Sequence, residues 1–280
     1  MSNRPPSGRA AELNPAPIPD EIADALAQAR PRLGPLGLRL LWFDDIGSTN
    51  DRALAWAEAG AEEGCAVLAD AQSAGRGRLG RTWASPAGAG IYVSVVLRPA
   101  AQAVSLLTMA AGLGVSEGIA AATGLQTHVK WPNDVCVAGR PPRKLAGLLA
   151  EGGSSADRVL HVVLGIGINV LPAAYPPDVA ARATSLEGEL GRAVPRGAVL
   201  AESLAGVWRR YAMLTAGQSN EVLAAWRDRA STTFGRRVEW DEPGGTRRGI
   251  ARDVDSSGAL VVAGDNGVVR VTAGEVRWVE

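Results

Sequence analysis

Cysteine is nearly absent: Cys65 and Cys136 are the only two in 280 residues. Both sit in apolar, strand-like runs, which excludes a disulfide framework and makes a reducing cytosol the expected home. No sign of charge is in excess, since Lys+Arg and Asp+Glu each number 29. No global field therefore draws the chain toward nucleic acid or membrane, whereas a dedicated DNA binder normally carries a basic surplus. Phe and Tyr number only 2 and 3, leaving little beyond tryptophan for stacking bases. Long apolar runs are missing too, and nothing approaches the roughly 18 residues that a membrane-spanning helix needs. Pro5, Pro6, Pro15, Pro17 and Pro19 open the chain without the apolar core of a signal peptide. The first 20 or so residues are expected to be a disordered lead-in. Neither an internal repeat nor a dedicated cluster of metal ligands is evident.

What is present is a 46% hydrophobic chain, enough to bury a core in one large domain or a large and a small one. Glu21–Arg30 reads as a short helix that stops before Pro31, and Leu38–Phe43 as a strand. Ser48 and Thr49 offer an N-cap to a helix that ends at Gly60. Strands are predicted at Ala66–Ala71 and Ile91–Arg98, followed by a long helix that Ser105 caps and that runs to about Ala122. Four strands in hairpin succession come next: Gln126–Trp131, Val135–Val137, Leu145–Glu151 and Val159–Leu164. Helices resume at Arg196–Ala216 and Asn220–Ala230. After Phe234 five short strands separated by turns at Pro243–Gly245, Ser257–Gly258 and Asp265–Gly267 suggest a small barrel. The pattern is α+β rather than a regular βαβ alternation.

The densest chemistry lies at Gly75–Trp83, where Arg76, Arg78 and Arg81 are interleaved with Gly75, Gly77 and Gly80. Each glycine costs roughly 0.5–1 kcal/mol in an ordered element, and neighbouring guanidiniums repel. Such a loop suits closure over an anion, because glycine lets backbone N–H groups approach an oxygen and arginine supplies forked donors. A solvated linker is the alternative, disfavoured by the two predicted strands that frame the run.

Lys130 shares a strand with Trp131, one residue from Pro132 in the run Lys130–Asp134. Period-two alternation puts Val129 and Trp131 on one face, and His128 and Lys130 on the other. Turn chemistry accounts for Pro132, Asn133 and Asp134 without any function. Lys130 stands even between an active-site lysine and a solvated one. Gly147 inside a strand, and Gly165 and Gly167 near a strand end, mark places where a ligand or another backbone comes close. The latter pair does not make a dinucleotide fingerprint, because no helix follows.

Taken together, Gly47–Asn50, Gln72, Ala74–Trp83, Lys130–Asp134, Lys144–Glu151 and Gly165–Asn169 resemble the biotin protein ligases, in the family's order and spacing. The similarity spans residue 38 to the end. The resemblance implies a class II synthetase-like catalytic domain, with a mixed, largely antiparallel sheet flanked by helices, and a small C-terminal SH3-like β-barrel. It divides the chain into a Pro-rich lead-in with a short helix at 1–37, a biotin- and ATP-binding domain at 38–232, and a barrel domain at 233–280. It implies an enzyme that makes biotinyl-5′-AMP from biotin and ATP and passes biotin to a lysine of a biotin carboxyl carrier domain of acyl-CoA carboxylases.

By that resemblance Lys130 and Arg78 are catalytic. Biotin falls to Ser48, Thr49, Asn50, Gln72, Arg76, Gly77, Arg78, Lys130 and Gly147, with the neutral ureido ring held by hydroxyls and amides. ATP falls to Arg76, Arg78, Arg81, Trp83, Asn133 and Asn169. Mg²⁺ is expected with ATP, bound through its phosphates and by no protein metal site. Asp134 is left to its turn. Leu79 departs from the basic or polar residue usual in relatives, and the short N-terminal stretch leaves no room for the DNA-binding domain of bifunctional relatives. A cytoplasmic ligase without repressor activity is expected, monomeric or homodimeric, with neither specific DNA nor membrane as partner. The rivals are a lipoate ligase of related fold, whose motif pattern is not found, and a nucleic-acid binder using the Arg/Gly loop, which the balanced charge opposes.

Overall fold

The computed structural model describes residues 14–139, 141–155, 158–230, 233–242, 245–264, 267–272 and 276–279. Most of the expected lead-in, the 232/233 boundary, and parts of the turns at 243–245 and 265–267 lie outside these residues. Helix α1 (Asp20–Ala29) precedes β1 (Leu40–Ile46), α2 (Thr49–Glu58), β2 (Ala66–Gln72) and β3 (Gly90–Leu97). Then come α3 (Ala101–Val104), α4 (Leu107–Thr123), β4 (His128–Lys130), β5 (Asp134–Val137), β6 (Arg143–Ser155) and β7 (Arg158–Asn169). These strands form one seven-stranded sheet, ordered β1-β2-β3-β7-β6-β5-β4. Only β1 and β2 run parallel, joined by α2 as crossover, and every other neighbouring pair is antiparallel.

Both faces of this sheet are covered, which is why β3 is buried along its whole length and reads as an unbroken apolar run. Ile91, Val93, Val95 and Leu97 of β3 join Leu164 and Ile166 of β7 in the main core beneath α1, α4 and the long helix α6 (Arg196–Thr215). Val96 and Val163 face the other way, against Ala53 and Ala57 of α2. Polar Ser94 lies on that second face, fully buried.

Helices α4 and α6 cross at backbone contact. A Cβ on Gly114 would lie 2.5 Å from the Gly206 carbonyl carbon, and one on Gly118 2.5 Å from that of Glu202. Beside the crossing, Glu117 of α4 accepts from Arg209 at 2.6 Å and also from Arg210. Burial alone would raise the Glu117 carboxyl, but these guanidinium hydrogen bonds override it and hold it below the usual carboxylate range.

A five-residue helix α5 (Leu186–Leu190) lies before α6, and α7 (Ser219–Arg229) follows it. The tail forms five antiparallel strands: β8 (Arg237–Glu242), β9 (Gly245–Val254), β10 (Leu260–Gly264), β11 (Gly267–Val271) and β12 (Val276–Val279). Their order is β11-β10-β9-β8-β12, and no β11–β12 ladder closes them into a continuous barrel among the described residues. This sheet shares a core with Met109 and Leu113 of α4, Val129, Trp131, and Trp226 of α7. The Trp131 indole N–H donates to the Gly258 carbonyl at 2.8 Å, tying the tail to β4.

Three expectations need correction. The expected lead-in is ordered before residue 20, where Ala16 N donates to the Trp42 carbonyl at 2.9 Å and Ala16 and Ile18 pack against the main core. Ser105 does not cap the long helix: it ends the short α3, and α4 starts after Leu106. Ser48 occupies the N-cap position of α2 with extended backbone, yet its side chain makes no cap bond. The Gln72 carboxamide takes over, its Oε1 accepting from Thr49 N at 2.8 Å and Thr49 Oγ1 at 3.0 Å. No helix among the described residues is long and apolar enough to cross a membrane.

The glycine crossing yields a direct check. Gly114→Val should cost about 1–3 kcal/mol by overpacking. That loss reads as a lower urea midpoint at unchanged slope.

Candidate active site

Strand alternation turns Gly147, Leu149 and Glu151 of β6 to the same side as Val163, Gly165 and Gly167 of β7, since Gly147 pairs with Gly167 and Glu151 with Val163. The N-terminus of α2 and the Arg/Gly segment lie over this side and enclose a cleft of about 770 Å³. Its wall includes Ser48, Thr49, Asn50, Gln72, Arg76, Gly77, Arg78, Arg81, Trp83, Lys130, Asn133 and Gly147. Asn169 is the one sequence candidate outside that wall. It is buried at the end of β7, and its Nδ2 donates to the Thr184 carbonyl at 2.9 Å.

The glycine positions were expected to admit a ligand or backbone, and the group that lies against them is a side chain of the protein. A Cβ on Gly167 would come within 2.5 Å of the Trp83 indole, and one on Gly147 within 2.9 Å of it. Gly165 leaves similar room for Asn50, whose Oδ1 would be 2.2 Å from any Cβ there. The Trp83 Nε1 is buried with no hydrogen-bond partner among the described residues.

One end of the cleft is neutral and densely hydrogen-bonded. Ser94 Oγ lies 2.8 Å from Thr49 Oγ1 and 2.5 Å from Asn50 Oδ1. Asn50 Nδ2 donates to Glu151 Oε2 at 2.7 Å, and Gln72 Nε2 to Ser85 Oγ at 2.8 Å. Ser94, Ser85 and Glu151 were not singled out from sequence. Ser94 carried a signal, being the lone small hydroxyl in the apolar run of β3. Ser85 carried none.

The other end is cationic. The Arg/Gly segment is a short hairpin, bridged between Arg76 and Thr82, with Gly77 N donating to the Arg81 carbonyl at 2.7 Å. Leu79 sits at its tip with φ of 57° and its side chain in solvent. Arg78 Nη1 donates to Asn133 Oδ1 at 3.2 Å, and Asn133 Nδ2 to the Leu148 carbonyl at 2.5 Å. Lys130 Nζ stands 5.5 Å from the ring centroid of Trp278, so β12 of the tail sheet supplies part of the wall. Lys144 Nζ pairs with Asp134 at 2.7 Å and lies 5.2 Å from the Trp83 ring. Asp134 thus has a partner beyond its turn.

The chain is similar to known proteins across both of its sheets. The model of the biotin/lipoate A/B protein ligase family fits residues 42–169, and that of the biotin protein ligase C-terminal domain fits residues 233–277. A biotin--[acetyl-CoA-carboxylase] ligase of Mycobacterium tuberculosis is 41% identical over 239 residues, covering 82% of this chain and 85% of that protein. This chain belongs to the biotin protein ligase family. The bifunctional ligase/repressor BirA of Bacillus subtilis is 34% identical over 245 residues, covering 86% of this chain and 74% of its own length. The solved biotin protein ligase of Aquifex aeolicus in complex with biotin and ATP superposes with a TM-score of 0.73 at 28% identity, over 87% of this chain and 99% of that one. The family's two matched regions correspond to the seven-stranded sheet and the tail sheet, and the cleft lies where they meet.

Cys136 of β5 also borders the cleft. Burial, reinforced by the Asp134 carboxylate against the opposing pull of Lys130 and Lys144, pushes its thiol up to about 12. Burial raises Cys65 as well. The folded value of Cys136 lies above the unfolded one. Its contribution to stability is therefore complete below roughly pH 8.5 and is lost as pH rises toward 12. Neither thiol should react with Ellman's reagent in the native protein at pH 8, and both should react in guanidinium.

Proposed function

We propose that the chain activates biotin with ATP as biotinyl-5′-AMP and transfers the biotinyl group to a lysine of a carboxylase carrier domain. The observation that carries this reading is the continuity of the cleft, with a neutral amide-and-hydroxyl pocket at Thr49, Asn50 and Gln72 running into a cationic end at Arg78 and Lys130. A ureido ring is neutral and takes neutral donors and acceptors. A carboxylate and a triphosphate are both anions, and bringing them together requires fixed positive charge.

In the first step a carboxylate oxygen of biotin attacks the α-phosphorus of ATP and pyrophosphate leaves. Negative charge builds on the phosphoryl oxygens. Arg78 and Lys130 are assigned to it as donors, and Arg81 to the nucleotide phosphates. Removing one such preorganised donor typically costs about 3–4 kcal/mol of transition-state stabilisation. Packing of Lys130 against the Trp278 ring limits the freedom of its ammonium, which favours a fixed donor. Mg²⁺ arrives on the nucleotide's phosphates, and no group of three or more His, Cys, Asp or Glu suited to a metal occurs among the described residues. Asn133 is assigned to the nucleotide, while Asn169 lies outside the wall with its carboxamide on the Thr184 carbonyl. The buried Trp83 N–H has no acceptor among the described residues, and a ligand oxygen would satisfy it.

In the second step the carrier lysine amine, after losing a proton, attacks the activated carbonyl and AMP leaves. The mixed anhydride hydrolyses in water, so the hairpin's second duty is to exclude solvent until the amine arrives. Incubation with labelled biotin, ATP and a carrier domain tests the reading, and transfer of lipoate in place of biotin would overturn it. Lys130→Ala and Arg78→Ala should each lower adenylate formation about 10²–10³-fold without altering the thermal unfolding midpoint. Arg78→Ala should also release the adenylate into solution. Retention as firm as in the parent would refute its role over the intermediate.

A further inference from the structure

Arg76 was expected to grip an anionic ligand, yet two carboxylates of the protein already hold it. Its Nη2 lies 2.8 Å from Asp51 Oδ1 and 2.5 Å from Glu151 Oε2. One guanidinium between two carboxylates leaves the cluster net negative, so it offers little attraction to a further carboxylate or phosphate. The same cluster is well placed for another task. Arg76 sits at the base of the hairpin, directly bridged to Thr82, with Trp83 N donating to the Gly75 carbonyl at 2.9 Å. Asp51 belongs to the first turn of α2 and Glu151 to β6, so the two carboxylates tie the hairpin base to two separate elements.

Glu151 also reaches into the neutral pocket. The Oε2 that takes Arg76 accepts from Asn50 Nδ2, and Asn50 Oδ1 is in turn engaged with Ser94. Both polar atoms of Asn50 thus have protein partners, and its carboxamide connects buried Ser94 to Glu151. Any ligand that moves Asn50 alters one of the two carboxylate oxygens on which the hairpin base is seated.

We infer that Glu151 and Asp51 are positioning residues that seat the Arg76–Thr82 hairpin, and that Glu151 couples the pocket at Asn50 to the hairpin's closure. The coupling rests on the ligase reading above, whereas the seating does not. Arg76 then acts as the hairpin's pin, and gripping of anions belongs to the residues beyond it.

Trypsin reads the seating without biotin or ATP, because the hairpin carries cleavable bonds after Arg78 and Arg81. With the ligand-free full chain, Glu151→Gln and Asp51→Asn should each speed cleavage at those bonds about tenfold at unchanged thermal midpoint. Asp51 is 60% exposed, so its substitution does not threaten folding. Raising NaCl to 1 M should accelerate cleavage of the parent and act less on Glu151→Gln, which keeps only the Asp51 pair, since the ion pairs are screened. Arg76→Ala combined with Glu151→Gln should cleave no faster than Arg76→Ala alone. In the working enzyme Glu151→Gln should raise KM for biotin and speed adenylate escape about tenfold, with KM for ATP within twofold of the parent.

Equal cleavage of parent and variants, or additive effects in the double variant, would overturn the seating and leave the ligase reading intact. An unchanged biotin KM and escape rate in Glu151→Gln would overturn the coupling. A parent chain that forms no adenylate, whatever its proteolysis, would count against the ligase reading instead.

Discussion

A methyl group at Gly165 would stand 2.2 Å from Asn50 Oδ1, and one at Gly167 2.5 Å from the Trp83 indole. The cleft takes its shape from those two missing side chains. Because β7 presents bare backbone there, the first turn of α2 and the end of the hairpin can lie flat against the sheet. Their polar atoms then come within reach of Ser94 and Glu151 on neighbouring strands. A side chain at either position would lift Asn50 or Trp83 away and with it the contact between pocket and hairpin. Alternation does the rest. The same strand sends Leu164, Ile166 and Ile168 into the main core from its opposite face, so site and stability share one element without competing for the same side.

Charge is managed by close pairing rather than by exclusion. Arg76 has Asp51 and Glu151, Lys144 has Asp134, and Arg143 has Glu189 at 2.7 Å. The cationic end is therefore assembled against a framework of carboxylates, consistent with a chain whose total charge is balanced. Exposed pairs of this kind each stabilise by at most about 1 kcal/mol. Their value lies in fixing where the basic groups point before any ligand arrives, since a shared carboxylate couples the elements that meet on it. The tail sheet takes part through Trp278 beside Lys130 and through the Trp131–Gly258 bond. It is thus joined to the cleft wall as well as to the core.

Much of this was legible in order along the chain. The apolar run of β3 announced a strand, the hairpin succession from β4 to β7 showed in a series of strand-like runs, and the five tail strands emerged from short β-rich runs between turns. The Arg/Gly segment and the intrastrand glycines stood out as residue types in places where structure alone does not call for them, whereas Lys130 stood even between a site and solvent until the family resemblance was added. Other features escaped. Glu151 read as the end of a strand motif, and its meeting with Arg76 and Asn50 spans 75 and 101 positions of sequence. Trp278 was one aromatic in a small sheet, and nothing local to it indicated that the tail would fold back beside β4. Ser48 looked like the natural helix cap, yet Gln72, 23 residues past Thr49, does that work because β2 delivers its carboxamide to the helix end.

By itself the sequence determined the elements, their classes, and the identity of the groups that carry charge and hydrogen bonds, since periodicity, turn chemistry and side-chain type are local properties. Tertiary structure alone decided which groups meet. It set Arg76 between Asp51 and Glu151, seated Asn169 at the end of β7 against the Thr184 carbonyl and outside the cleft wall, and laid the Trp83 ring over Gly147 and Gly167. Those outcomes depend on strand register and on which face of β6 and β7 looks outward. Register is the joint result of every pairing in the sheet, so no local stretch of residues encodes it.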